Sequence, residues 1–96
     1  RRPAARDGDA TPYAARALAA ECDAIRASQP GGRNHRLNEA AFNIGQLIAA
    51  GDLDPEHAIA HLAAAADDAG LGRTEADKTI ASGIRAARAN PRARAA

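Results

Sequence analysis

The chain has 96 residues, with 13 basic and 12 acidic side chains and a net charge of +1. This length fits one small domain, and the near-neutral charge argues against a protein that coats duplex DNA through a broad basic face. One cysteine excludes an internal disulfide and a zinc site built from several cysteines. Strand-forming residues are scarce, with one Tyr, one Phe and no Trp. We therefore predict an all-α fold, a compact four-helix bundle.

The domain boundaries are predicted from the positions of the charged residues and of proline and glycine along the chain. Residues 1–10 and 91–96 are predicted to be a linker and a tail, and residues 11–90 a helical bundle domain. Residues 11–90 hold eight basic and ten acidic residues, so the surplus positive charge lies at the two ends, as expected for a piece of a longer protein. No apolar run reaches the roughly 20 residues of a membrane span, and no signal peptide is recognisable. We expect a cytoplasmic protein without a membrane partner.

The first helix is predicted to begin at Thr11, a good N-cap, followed by Pro12 at the first helical position. Its buried face is Leu18, Cys22 and Ile25. It should end before Pro30, since proline disfavours helix in the preceding residue.

The second helix is predicted over about residues 34–50, with Asn34 as a plausible N-cap and Gly51 at its end. Gly45 lies mid-helix, where glycine costs about 1 kcal/mol relative to alanine. We interpret it as a point of close contact with another helix. The buried face is predicted to be Leu37, Ala40, Ala41, Ile44, Leu47 and Ile48.

The third helix is predicted to begin at Asp54 and to end at Gly70, and the fourth to be capped by Thr74 and to end at Asn90. Short connections favour antiparallel neighbours. The predicted faces are Ile59, Leu62, Ala63 and Ala66 in the third helix and Ala76, Ile80, Ile84 and Ala87 in the fourth. Across the chain, the large core candidates are Leu18, Ile25, Leu37, Phe42, Ile44, Leu47, Ile48, Leu53, Ile59, Leu62, Leu71, Ile80 and Ile84.

Catalytic motifs are not recognisable. His57 and His61 have the i, i+4 spacing of two metal ligands, but the glutamate that follows the first histidine in a zincin helix is missing. No phosphate-binding loop of the Gly-Lys-Ser/Thr kind is present. We expect no catalytic residue and no metal site in this segment.

The segment Gly31-Gly32-Arg33-Asn34-His35 is the first candidate binding site. It precedes a helix whose first N–H groups and dipole favour an anion, and Arg36 adds a second cation. Asn38 and Asn43 continue along the same helix, where asparagine is unfavourable without a polar contact. The competing interpretation is an ordinary turn in which Gly31 and Gly32 adopt positive φ and Arg33 is solvated.

A second candidate cluster lies on the fourth helix, where Lys78, Thr79, Ser82 and Arg85 fall within two turns, with Gly83 beside them. The competing interpretation is a solvated face whose hydroxyls bond locally. If both clusters converge, they form one anion-binding surface for a nucleoside triphosphate or a bent single strand. Tyr13 is the one stacking candidate that we single out.

These residues carry a family resemblance. Gly31-Gly32-Arg33-Asn34-His35-Arg36-Leu37-Asn38, the Gly45-Gln46-Leu47 element and Thr79-Ile80-Ala81-Ser82-Gly83-Ile84 resemble a helical segment of bifunctional DNA primase/polymerases. These are archaeo-eukaryotic-type prim-pol proteins of phages, plasmids and actinobacteria. The resemblance covers about residues 13–92.

The resemblance implies an accessory helical bundle that binds the initiating nucleotide and the single-stranded DNA template during primer synthesis. The ligand would be a nucleoside triphosphate such as ATP, with Mg²⁺ arriving only through the nucleotide, and the catalytic prim-pol domain would lie elsewhere in the same chain. The implied nucleotide- and template-binding residues are Arg33, Asn34, His35, Arg36, Asn38, Lys78, Thr79, Ser82 and Arg85.

Two other functions stay open. The bundle could be a spacer or protein-interaction module without a ligand. It could also be a small helix-turn-helix DNA binder, although that function needs a recognition helix with several exposed cations and no predicted helix has more than three.

Overall fold

A computed structural model describes residues 10–90, and these residues form four α-helices joined by short connections. The helices are α1 (Pro12–Arg26), α2 (Arg33–Ala49), α3 (Pro55–Asp68) and α4 (Arg73–Ala89), and a 3₁₀ turn (Pro30–Gly32) leads directly into α2. The predicted all-α four-helix bundle is confirmed. Ala10 packs against the core, and the rest of the predicted linker and tail lies outside the described residues. Within residues 10–90, no helix combines the length and apolarity needed to cross a bilayer.

The predicted caps of α1 and α3 are confirmed. Thr11 accepts a hydrogen bond from the backbone N–H of Ala14, and Asp54 accepts one from that of His57. The predicted caps of α2 and α4 are wrong, because Asn34 and Thr74 both lie inside their helices.

The N-caps of α2 and α4 are instead glycines, Gly32 and Gly72. A glycine cap offers no side-chain oxygen, so it leaves less of a signal in the sequence than serine, threonine or aspartate. Gly51 and Gly70, by contrast, end α2 and α3 as predicted, with φ of 83° and 94°.

The helices alternate in direction. Arg26 Nε near the end of α1 donates to Asp68 Oδ2 at the end of α3, so α1 and α3 end together. Asn34 at the start of α2 contacts Thr79 near the start of α4. Arg33 also lies against Gly70, just after α3. One end of the bundle therefore holds the starts of α2 and α4 and the ends of α1 and α3.

The most extensive packing joins the parallel helices α2 and α4, while α1 and α4 do not contact each other within residues 10–90. This differs from a bundle built mainly from antiparallel neighbours. The core is rich in alanine, and its largest fully buried side chains are Ile25, Leu37, Ile44, Leu53, Leu62 and Ile80.

The predicted core is corrected at four positions. Phe42, Ala63 and Leu71 are half-buried, and Ile59 is 39% exposed. In α3 the buried positions are Ala58, Leu62, Ala65 and Ala66. Small alanines occupy the inward face there, which leaves Ile59 outside.

Candidate functional site

Glycines bring α2 and α4 into backbone contact. A Cβ at Gly45 would lie 2.7 Å from the Cβ of Ala87, and a Cβ at Gly83 would lie 2.6 Å from the Cβ of Ala41. Both distances are far shorter than the 3.5–4.0 Å or so at which two carbons attract each other most strongly. The predicted role of Gly45 in close helix contact is confirmed. Gly83 has the same role, so the partner that approaches its backbone is α2.

This contact brings Asn34 of the first candidate cluster against Thr79 of the second, near the starts of α2 and α4. The side-chain amide of Asn34 donates to Thr79 Oγ1 at 2.7 Å and to Glu75 Oε2 at 3.0 Å. The hydroxyl of Thr79 is therefore engaged across the helix pair rather than in a local helix bond. Asn34 and Thr79 form the link between the two clusters.

Arg33 is half-buried rather than solvated. Its guanidinium lies over Gly70, where a Cβ would be 3.1 Å from Nη1, and its Nε is buried with no hydrogen-bond partner among residues 10–90. Gly70 thus serves two purposes, since its positive φ ends α3 and its missing side chain makes room for Arg33. The expectation that Arg33 is exposed is wrong.

His35 and Arg36 are both paired with carboxylates. Arg36 contacts Glu21 Oε1 and Glu39 Oε1 at 2.8 Å each, and His35 Nε2 lies 3.4 Å from Glu39 Oε2. Asn43 donates to the other oxygen of Glu21 at 3.0 Å. Arg36 and Asn43 therefore join α2 to α1, and the charge of Arg36 is largely neutralised.

The cations of the α4 cluster are free. Lys78 and Arg85 are exposed, and neither forms an ion pair or hydrogen bond with any described residue. Ser82 lies between them on the same stripe, at i+4 from Lys78 and i−3 from Arg85. This stripe presents two unneutralised charges and a hydroxyl to solvent.

The observed α4 carries one more cation than the predicted fourth helix, whose cap at Thr74 leaves out Arg73. Because it begins at Arg73, it carries four exposed cations, of which Arg73 pairs with Asp77 at 3.6 Å. Arg88 is the fourth. The expectation that no helix carries more than three cations is wrong.

The glycines before α2 do not adopt left-handed backbone. Among the described residues only Gly51 and Gly70 have positive φ, so the interpretation of Gly31 and Gly32 as positive-φ turn residues is wrong. A Cβ at either position would meet no atom within 4 Å. Neither packing nor backbone conformation requires glycine there.

Comparisons with family models, curated proteins and solved structures return no match for this chain.

Tyr13 is not part of this surface. It is 58% exposed and lies in the first turn of α1, at the end of the bundle opposite Asn34. The aromatic residue beside the two clusters is Phe42, which helical spacing could have identified, since it continues the polar stripe of Asn34 and Asn38 at four-residue steps.

The histidine pair of α3 lies on the other side of the bundle. The rings of His57 and His61 are 4.4 Å apart and meet edge to face. Cys22 faces them from α1, and its thiol donates weakly to the carbonyl of His61 at 3.5 Å. Within residues 10–90, no group of three potential ligands is placed to hold a metal ion.

Proposed function

We propose that this bundle is the accessory helical domain of a DNA primase-polymerase and that it binds the initiating nucleoside triphosphate and the single-stranded template. The observation that carries the proposal is the Asn34–Thr79 hydrogen bond of 2.7 Å. It joins two segments that are about 45 residues apart in the sequence and that both resemble parts of that family. Their juxtaposition is what a single ligand surface requires.

The chemistry of the surface suits a phosphorylated ligand. Lys78 and Arg85 carry charges that have no partner among residues 10–90, so they can form charge-assisted hydrogen bonds to phosphate oxygens at little rearrangement cost. Asn38 of α2 and Ser82 of α4 supply neutral donors and acceptors beside these charges.

The proposed role is positional. Arg33, Asn34, Arg36 and Thr79 hold the helices in place, while Asn38, Lys78, Ser82 and Arg85 contact the ligand, and His35 lies at the margin. The bundle holds triphosphate and template in a fixed orientation, which lowers the entropic cost of primer initiation. The nucleotidyl-transfer step belongs to the catalytic prim-pol domain, and Mg²⁺ arrives with the nucleotide. The protein acts in the cytoplasm of a bacterial or phage-infected cell.

Two observations favour other functions. Five of the nine predicted ligand residues, His35 beside Glu39 included, already have packing, ion-pair or hydrogen-bonding partners inside the bundle, as expected for a spacer or protein-interaction module. The four exposed cations of α4 suit a helix that contacts duplex DNA. The NMR titration described next gives a different result for each of these two functions.

The experiment is an NMR titration of the isotope-labelled chain with Mg–ATP, with a short single strand and with a duplex of the same sequence. The proposal predicts that ATP and the single strand shift amides in residues 31–38 and 78–85. No shift with millimolar ATP or single strand would leave the spacer function, and a clear preference for duplex would favour the helix-turn-helix function.

A matched pair of variants tests the role of α4. Arg85→Ala is expected to weaken ATP binding at least about 5-fold, since a charged hydrogen bond contributes roughly 1 kcal/mol or more. Arg16→Ala removes the same exposed, unpaired charge from α1, which does not contact α4, and it should leave the affinity unchanged. Equal losses in the two variants would show that only net charge matters.

A further inference from the structure

A groove of about 480 Å³ runs beside the α2–α4 contact. One wall is formed by Asn38 and Phe42 of α2 and the other by Ser82 of α4. Its volume falls in the range of roughly 300–1,000 Å³ that is common for small-molecule sites. The lining residues are Arg36, Asn38, Glu39, Phe42, Asn43, Ser82, Gly83 and Ala86.

The groove is electrically balanced. Its one cation, Arg36, is bound to the carboxylates of Glu21 and Glu39. Lys78 and Arg85 do not line it. A phosphate would gain little here and would face Glu39, so the groove fits an uncharged polar group.

Its lining suits a flat heterocycle. Phe42 is half-buried, so part of its ring is open to the groove. The amide of Asn38 and the hydroxyl of Ser82 form no hydrogen bond with any described residue. The amide supplies donors and an acceptor, the hydroxyl supplies both, and the ring supplies a stacking surface.

We propose that this groove binds one nucleobase, which stacks on Phe42 while its polar edge bonds to Asn38 and Ser82. The proposal rests on the function proposed above, because a nucleotide ligand is its premise. Ser82 lines the groove and also shares the stripe of Lys78 and Arg85, so a base in the groove places its phosphates beside those free cations. The proposed ligand surface thus has a neutral part, the groove, for the base and a charged part, beside Lys78 and Arg85, for the phosphates.

The test separates base from phosphate. The labelled chain is titrated in parallel with adenosine, guanosine, cytidine and thymidine, which have no phosphate, with inorganic triphosphate, which has no base, and with Mg–ATP. At least one nucleoside is expected to shift the amides of Phe42, Asn43 and Ser82 at millimolar concentration. Inorganic triphosphate is expected to shift only residues around Lys78 and Arg85.

Two groove variants and one control variant test which side chains bind the nucleoside. Phe42→Leu keeps an apolar side chain but removes the stacking ring, and it should weaken nucleoside binding at least about 5-fold. Asn38→Ala changes an exposed side chain, so the fold is retained while binding falls several-fold. The control Tyr13→Leu removes an exposed aromatic ring at the far end of the bundle and should have no effect.

The outcomes distinguish the two proposals. If ATP and inorganic triphosphate bind but no nucleoside does, or if Phe42→Leu and Asn38→Ala both bind nucleoside as the unaltered chain does, the groove is not a base site and the proposed function stands. If neither ATP nor any nucleoside binds, both proposals fail. Thermal unfolding of each variant by circular dichroism shows whether a loss of binding reflects a loss of fold.

Discussion

Adding one methyl group at Gly45 is expected to destabilise the protein, even though alanine is the better helix former. The exchange gains about 1 kcal/mol in helix propensity. A Cβ at this position would lie 2.7 Å from the Cβ of Ala87 and 3.1 Å from the Cα of Ile84. Neither atom belongs to a flexible side-chain end, so the strain is relieved only if α2 and α4 move apart.

The magnitude follows from that overlap. A separation of 2.7 Å is roughly 1 Å shorter than the optimal carbon–carbon contact, so we expect a cost near the upper end of the roughly 1–3 kcal/mol for overpacking. After the gain in propensity, Gly45→Ala should lower the free energy of unfolding by about 2 kcal/mol. For a domain of this size, that corresponds to a fall in Tm of roughly 8–16 °C.

The assay is urea and thermal unfolding followed by circular dichroism, with Gly31→Ala as the matched control. Gly31 has no positive φ, and a Cβ there meets no atom within 4 Å. The same Gly→Ala exchange should therefore leave stability unchanged or raise it by up to about 1 kcal/mol, because it restricts the unfolded chain.

A double variant completes the test. Ala87→Gly removes the methyl group that Gly45→Ala would strike, so the double variant should be more stable than the sum of the single effects predicts, by about 1–2 kcal/mol. Additive effects, or equal stabilities for Gly45→Ala and Gly31→Ala, would refute the close contact between α2 and α4.

Two further predictions concern α1. Glu21→Gln should lower the free energy of unfolding, measured in urea, by about 1–2 kcal/mol, because the half-buried carboxylate binds Arg36 and Asn43 across α1 and α2. The control is Glu56→Gln, which changes an exposed carboxylate. Equal effects of the two variants would contradict the role of Glu21. Burial raises the pKa of the Cys22 thiol above its ordinary value, an effect larger than the opposing one of Arg26. Because the unfolded thiol ionises first, this group's contribution to stability should be lost as the pH rises above the ordinary thiol pKa. Cys22 is only 4% exposed, so a thiol reagent at pH 8 should label the native protein at least about tenfold more slowly than the urea-unfolded protein; comparable rates would show that α1 does not cover it.

Much of the fold follows from local signals in the sequence. Thr11-Pro12 and Asp54-Pro55 are helix starts with a physical mechanism, and Gly51 and Gly70 end α2 and α3 with positive φ as their type suggests. The sequence marks the starts of α2 and α4 less clearly, because a glycine cap competes there with nearby Asn34 and Thr74, whose side chains are better caps in principle.

The pairing of α2 with α4 could not be predicted from single helices. Gly45 indicates that some helix approaches closely, but the residue pattern does not say which one. Phe42 shows a related limit. An apolar aromatic is a natural core candidate, yet its register with Asn34 and Asn38 places it on the polar side of α2, and only the packing of α4 turns that side into a groove.

The candidate site shows why residue type alone is a poor guide to ligand contact. Asn34 and Arg36 are polar residues at unfavourable or crowded positions, which is typical of a binding site, but each is bonded to another helix. Arg33 is half-buried over Gly70. Replacing any of these three would disturb the packing of α2 against a neighbouring helix and would thereby reduce any ligand binding, whether or not the residue touches a ligand. A loss of binding shows a direct ligand contact only where the replaced residue has no partner among residues 10–90. Variants of Arg85 and Asn38 therefore test the proposed ligand contacts, and a variant of Arg33 does not.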